Sequence, residues 1–182
     1  LFEVSRIDAR KKYHLEGDEK VLLVLGGGSG SKTINDAVRR HIKELTSFCT
    51  VLHICGKGNR VESNLNKYMQ EEFIEDMGGA YACADVVLSR AGSGAVFEIM
   101  ALKKPAVFVP LAKASRGDQL QNAEYFRSKG LCYVLSQEQL ERLVPTVKKA
   151  LADKETFIRL QEHTETNGTE NILAEIRRLL HP

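Results

Sequence analysis

No apolar run in this 182-residue chain approaches the roughly 20 residues that cross a bilayer; the longest, Val21–Leu25 and Ala106–Leu111, fall far short. No signal-peptide pattern is visible. Excess charge is also missing: 26 Lys and Arg stand against 24 Asp and Glu, a net +2, so no strong field argues for a nucleic-acid partner or an anionic membrane. The four cysteines, Cys49, Cys55, Cys83 and Cys132, form no C-x-x-C pair and cluster with no histidine, which weighs against zinc and against a disulfide framework. Three of them lie in or beside apolar runs, where buried reduced thiols are ordinary, and this points to a reducing, cytosolic compartment. There is no Asp-x-Asp, which weighs against a metal-bridged diphosphate. His14, His41, His53, His163 and His181 are scattered, and none falls in a loop that could form a site. A catalytic acid–base pair is not visible.

What is present is the composition of a soluble globular domain, 43% hydrophobic and 27% charged, long enough for one sizeable core. The chain opens on Leu1 rather than methionine, and we read residues 1–182 as one domain from a longer chain. Val21–Leu25, Val51–Cys55, Val86–Leu88, Ala106–Val109 and Cys132–Leu135 are short apolar runs of the kind buried on both faces of a parallel sheet. A weak strand precedes Glu72–Met77. Helical patterns are predicted over Ser5–Leu15, Lys32–Leu45, Asn59–Lys67, Gly79–Ala84, the stretch ending at Leu102, Gln119–Lys129, Gln137–Leu151, Asp153–His163 and Asn167–Leu180. Strand–helix alternation predicts an α/β fold with an open, doubly wound, mostly parallel sheet.

In that architecture ligands sit outside the carboxyl ends of the strands, near the switch point. Three unusual loops are predicted on that rim: Gly26–Ser31, Ala91–Gly94 and Lys113–Gln119. The Gly92-Ser93-Gly94 turn lets backbone amides approach a ligand at the positive end of a helix, and Glu98 follows about one turn later. Amides for phosphates beside an acceptor-only carboxylate for ribose hydroxyls suit a nucleotide. The same residues would also serve as an ordinary βα turn with a solvated Glu. Gly26–Thr33 nearly matches two phosphate motifs and completes neither. Ser31 stands where both the dinucleotide fingerprint and the P-loop need glycine, and Gly56-Lys57-Gly58 occupies the place of a ribose-binding acid. What remains is a glycine turn able to bring amides close to a diphosphate without a metal.

Four motifs in order, Gly26-Gly27-Gly28-Ser29-Gly30-Ser31-Lys32-Thr33-Ile34-Asn35, Phe73-Ile74-Glu75-Asp76-Met77, Ser89-Arg90-Ala91-Gly92-Ser93-Gly94-Ala95-Val96-Phe97-Glu98 and Arg116-Gly117-Asp118-Gln119-Leu120-Gln121-Asn122-Ala123, resemble the nucleotide-sugar half of the MurG family. The resemblance runs from about Val21 to Leu151. It implies a Rossmann-like C-terminal half of a GT-B glycosyltransferase that moves GlcNAc from UDP-GlcNAc to lipid I, forming lipid II in peptidoglycan synthesis with inversion. It implies further that Glu98 holds the ribose hydroxyls and that Gly92, Ser93 and Gly94 offer amides to diphosphate or sugar. Phe73 and Ile74 would line the uracil, Gln119 would contact GlcNAc with Asp118 and Asn122 flanking it, and Gly26, Gly27, Gly28, Ser29 and Gly30 would face phosphates and acceptor. Arg90 falls within the same ribose motif. No cofactor and no metal are implied. Lipid I would be bound by an amino-terminal half absent from this sequence, and through that parent the protein would associate with the inner face of the plasma membrane. Alone, the chain is expected to bind UDP or UDP-GlcNAc and to transfer nothing. Two departures stand out. Gly28 replaces the family's usual serine, and Gly117-Asp118-Gln119 replaces its usual Asp-His-Gln. Two alternatives remain open: another GT-B transferase using a different UDP-sugar, such as a glycolipid synthase, and a nucleotide-binding module whose catalytic subunit is separate.

Overall fold

The structure is a computed structural model that describes residues 4–15, 17–111, 117–164 and 176–180. Ser5 opens α1 (Arg6–Lys12), its hydroxyl accepting the Asp8 amide at 3.4 Å. Then come β1 (Val21–Leu25), α2 (Lys32–Arg40), α3 (Ile42–Leu45), β2 (Thr50–Ile54), β3 (Tyr68–Glu71), α4 (Met77–Cys83), β4 (Val86–Ser89), α5 (Ser93–Ala101), β5 (Ala106–Phe108), α6 (Asp118–Ser128) and β6 (Tyr133–Val134). A 3₁₀ turn over Gln137–Arg142 leads into α7 (Leu143–Ala152) and α8 (Lys154–Glu162). All strand pairings are parallel, in the order β3-β2-β1-β4-β5-β6. The predicted doubly wound sheet is therefore present, with its switch point between β1 and β4.

Alternation along the strands explains why their sequences are continuously apolar. Side chains at successive positions point to opposite faces. Val21, Leu23 and Leu25 join one core with Ala80, Tyr81, Ile99 and Phe126, while Leu22 and Val24 join another with Ile34, Val38, Leu143 and Val147. Helices cover both faces, so every residue of β1 and β2 is buried. The four cysteines are free and buried. Among the described residues, no helix is long and apolar enough to cross a membrane.

Some of the predicted elements differ. The Lys32–Leu45 helix is interrupted at His41, whose backbone (φ −101°, ψ 11°) leaves the helical region between α2 and α3. Residues Asn59–Lys67 form no helix. The Gln70 side chain donates to the Val61 carbonyl at 2.8 Å and accepts the Val61 amide at 3.4 Å, and Arg39 donates to the Asn59 carbonyl. Those bonds pin the segment to β3 and α2 and satisfy backbone groups that a helix would have paired internally. Of the predicted Asn167–Leu180 helix, residues 167–175 lie outside the described residues, and 176–180 is helical with Ile176, Leu179 and Leu180 exposed.

Candidate functional site

Outside the carboxyl ends of β1 and β4 lies a cleft of about 730 Å³. Its walls come from the glycine loop after β1, the segment between β3 and α4, the turn between β4 and α5, and the start of α6. The loops after β1 and β4 meet because those strands are neighbours, with Leu25 opposite Ser89.

The glycine loop is built for close backbone packing. A Cβ on Gly30 would lie 2.2 Å from the Cys55 carbonyl oxygen, and φ there is +78°. A Cβ on Gly26 would lie 2.3 Å from the Ser31 amide nitrogen. Behind the loop, the Asn35 amide donates to that Cys55 carbonyl at 2.9 Å and accepts from His53 Nε2 at 2.9 Å, while His53 Nδ1 accepts from the Tyr68 hydroxyl at 2.9 Å. Burial, with the Arg39 charge adding to it, pushes the His53 pKa down to about 4, so the ring is neutral. Gly27 and Gly28 have no atom within 4 Å of a built Cβ, so their open faces are left to a ligand.

Two of the helix N-termini at the cleft, those of α2 and α5, differ. Ser31 caps α2, its hydroxyl accepting the Ile34 amide at 3.3 Å. Gly92 stands at the same position of α5 and has no side chain to cap with. The first amides of α5 therefore face the cleft without a capping acceptor, an arrangement suited to an anion. Glu98 follows on that helix, exposed and lining the cleft, with one carboxylate oxygen accepting from the Tyr81 hydroxyl at 3.2 Å.

Arg90 lines the cleft yet is only 8% exposed. Its guanidinium donates to Ser31 Oγ at 3.1 and 2.8 Å, to the Val109 carbonyl at 3.0 Å and to Gln137 Oε1 at 3.4 Å. It thereby ties the turn after β4 to the cap of α2 and to the end of β5. No carboxylate among these partners compensates its charge, and burial lowers its pKa. An uncompensated cation in a partly dry cleft favours an anionic ligand.

Of the residues singled out in the sequence, Gly26, Gly27, Gly28, Gly30, Phe73, Ile74, Arg90, Gly92, Ser93, Gly94, Glu98 and Gln119 line this one cleft. Ser29 and Asp118 are exposed away from it. Asn122 does not line it either, because its amide donates to the Ala91 carbonyl at 3.2 Å and braces α6 against the turn after β4. Gln119 accepts the Leu111 amide on its Oε1 at 3.1 Å, which leaves its NH₂ as the group with donors to offer. Phe73 is 72% exposed at the rim, an uncovered aromatic face of the kind a base would stack on. Lining residues that the sequence did not single out include Glu72, Met77 and Tyr81, and Ser31 entered only as the end of the predicted rim loop. Ser31 carried a signal, a serine immediately before an apolar-periodic helix; Tyr81 carried none, being one aromatic in an Ala-rich helix.

The family described as glycosyltransferase family 28 C-terminal domain matches residues 21–176. A UDP-N-acetylglucosamine--N-acetylmuramyl-(pentapeptide) pyrophosphoryl-undecaprenol N-acetylglucosamine transferase of Clostridium perfringens is 39% identical over 100% of this chain and 53% of its own length. The transferase of the same name from Clostridium kluyveri is 41% identical over 94% of this chain and 50% of its own. The chain thus spans about half the length of the curated relatives it matches. Among solved structures, Acinetobacter baumannii MurG superposes with a TM-score of 0.75 at 26% identity, covering 96% of this chain and 53% of that one. The calicheamicin glycosyltransferase CalG4 shares the fold with a TM-score of 0.65 at 21% identity, over 81% of this chain and 37% of that one.

Proposed function

The chain belongs to the glycosyltransferase family 28 C-terminal domains, and from that premise we propose that it is the UDP-GlcNAc-binding half of an inverting N-acetylglucosaminyltransferase. The observation that carries this reading is the uncapped start of α5 opening into the same cleft as Glu98. Phosphates on the α5 amides and ribose hydroxyls on the Glu98 carboxylate fit the ends of one nucleoside diphosphate. Phe73 and Ile74 stand at the base end, and Gln119 at the sugar end. Arg90 supplies the buried positive charge behind the diphosphate.

In the reaction we propose, an acceptor hydroxyl attacks the anomeric carbon from the face opposite the leaving group. The new C–O bond forms as the bond to the diphosphate breaks, which inverts the anomeric centre. The electron pair leaves on the β-phosphate of UDP, and the α5 amides and glycine-loop amides stabilise that charge in place. The hydroxyl proton goes to a base outside this cleft: among the described residues no histidine lines it, Glu98 is committed to the ribose, and Glu72 adjoins Phe73 at the base end rather than the sugar end. The names of the curated relatives suggest the acceptor, an N-acetylmuramyl-pentapeptide pyrophosphoryl-undecaprenol. Such a lipid-linked acceptor would be held by the other half of the parent protein, at the inner face of the cytoplasmic membrane.

A donor screen tests the reading. The chain is expected to bind UDP-GlcNAc in preference to UDP-glucose and UDP-galactose and to transfer no sugar alone. Equal binding of all three would overturn the assignment of GlcNAc, and turnover by the isolated chain would overturn the placement of the base.

A further inference from the structure

We propose that Tyr81 is a positioning residue that holds the Glu98 carboxylate in register for a ribose diol, and so sets the preference of this cleft for ribonucleotides over their deoxy counterparts. The inference rests on the UDP-sugar reading above.

Glu98 lies on the exposed side of α5, and a glutamate there is ordinarily mobile about three torsions. Among the described residues one hydrogen bond restrains it, the Tyr81 hydroxyl donating to Oε2 at 3.2 Å. Tyr81 itself is 1% exposed, its ring fixed in the core that packs beneath α4 and α5. Burial and the neighbouring carboxylate both raise its pKa, so the hydroxyl keeps its proton and is the donor in its bond to the carboxylate. With one lone pair of Oε2 occupied, the carboxylate is left with Oε1 and the outer side of Oε2 for two vicinal hydroxyls.

The placement of Tyr81 adds a second reason. Helix α4 begins after Asp76, which caps it by accepting the Gly79 amide at 2.9 Å. The residues just before that cap, Phe73 and Ile74, form the base end of the cleft, and Tyr81 follows on the same short helix. The base contact thus sits on the segment that enters α4 and the ribose anchor on α4 itself, so a short stretch of chain with its cap links the two. A deoxy sugar forfeits that preset bond, whereas an unanchored Glu98 would have to be ordered anew by each ligand.

Calorimetric titration of the 182-residue chain with UDP and with 2′,3′-dideoxy-UDP tests this. The wild type is expected to prefer UDP by about tenfold or more, the worth of a charge-assisted hydrogen bond. In Tyr81→Phe that preference should fall to within roughly threefold while affinity for the dideoxy compound stays unchanged. Because Glu98 is solvated, removing the hydroxyl orphans no buried group, and the unfolding midpoint of Tyr81→Phe should stay near that of the wild type. Glu98→Gln should lose the preference, and adding Tyr81→Phe to it should change nothing further. A role confined to packing would weaken both ligands equally and leave their ratio intact; that result overturns the inference while the UDP reading stands. Failure of the wild type to bind UDP at all would sink both.

Discussion

Replacing Gly30 by alanine is the sharpest perturbation of the glycine loop. The residue sits at φ +78°, and a built Cβ lies 2.2 Å from the Cys55 carbonyl oxygen, 3.0 Å from its carbon and 3.1 Å from the Gly56 Cα. That carbonyl cannot swing aside without losing the 2.9 Å bond it accepts from Asn35, which is itself held by buried His53. Left-handed backbone costs a non-glycine residue roughly 1–2 kcal/mol. Forcing a methyl group into a packed contact costs roughly 1–3 kcal/mol more. Gly30→Ala should therefore lose about 2–5 kcal/mol, a large share of the roughly 5–15 kcal/mol that holds a domain together. Gly28→Ala is the control: its Cβ meets nothing within 4 Å, and the change should stay within about 0.5 kcal/mol. Urea titration followed by far-ultraviolet circular dichroism is the assay, since the chain has no tryptophan to report by fluorescence. A Gly30→Ala protein within about 0.5 kcal/mol of the wild type would refute the packing argument, as would equal losses at the two sites.

Two further predictions concern the groups behind the cleft. His53 has a folded pKa of about 4 against 6.5 unfolded, so between those values the unfolded chain binds a proton that the folded one does not. Stability from this group is full above pH 6.5 and falls by about 3 kcal/mol as pH drops to 4. Urea midpoints from pH 7 to 4 should accordingly decline less steeply in His53→Gln than in the wild type, and parallel slopes would show that His53 does not titrate as described. Asn122→Ala removes the bond to the Ala91 carbonyl and should cost about 1–2 kcal/mol of stability, with UDP affinity falling less than in Glu98→Ala; an affinity loss without a stability loss would return Asn122 to the ligand.

The fold was legible because β1, β2 and β4 are buried on both faces, and burial on both faces writes itself as an uninterrupted apolar run such as Val21–Leu25. The convergence of the loops after β1 and β4 followed from topology alone. Segment 59–67 was misread because its polar residues carry no period that distinguishes a helix from a loop pinned by Gln70 and Arg39, which lie outside the segment, on β3 and α2. The same reason hid Tyr81, which reaches Glu98 from another helix. Asn122 was legible as a residue of the site's neighbourhood, yet only coordinates show it turned toward Ala91 rather than the cleft. Arg90 was legible as part of a motif, while the absence of a carboxylate from its partners among the described residues is a property of the fold.

The most direct test of the central claim is calorimetric binding of UDP to the 182-residue chain and to Glu98→Ala. The wild type is expected to bind UDP and the variant to lose roughly 1.5–3 kcal/mol, the worth of charge-assisted hydrogen bonds to a carboxylate. Equal affinity in the two proteins would make Glu98 a solvated helix residue and contradict the account.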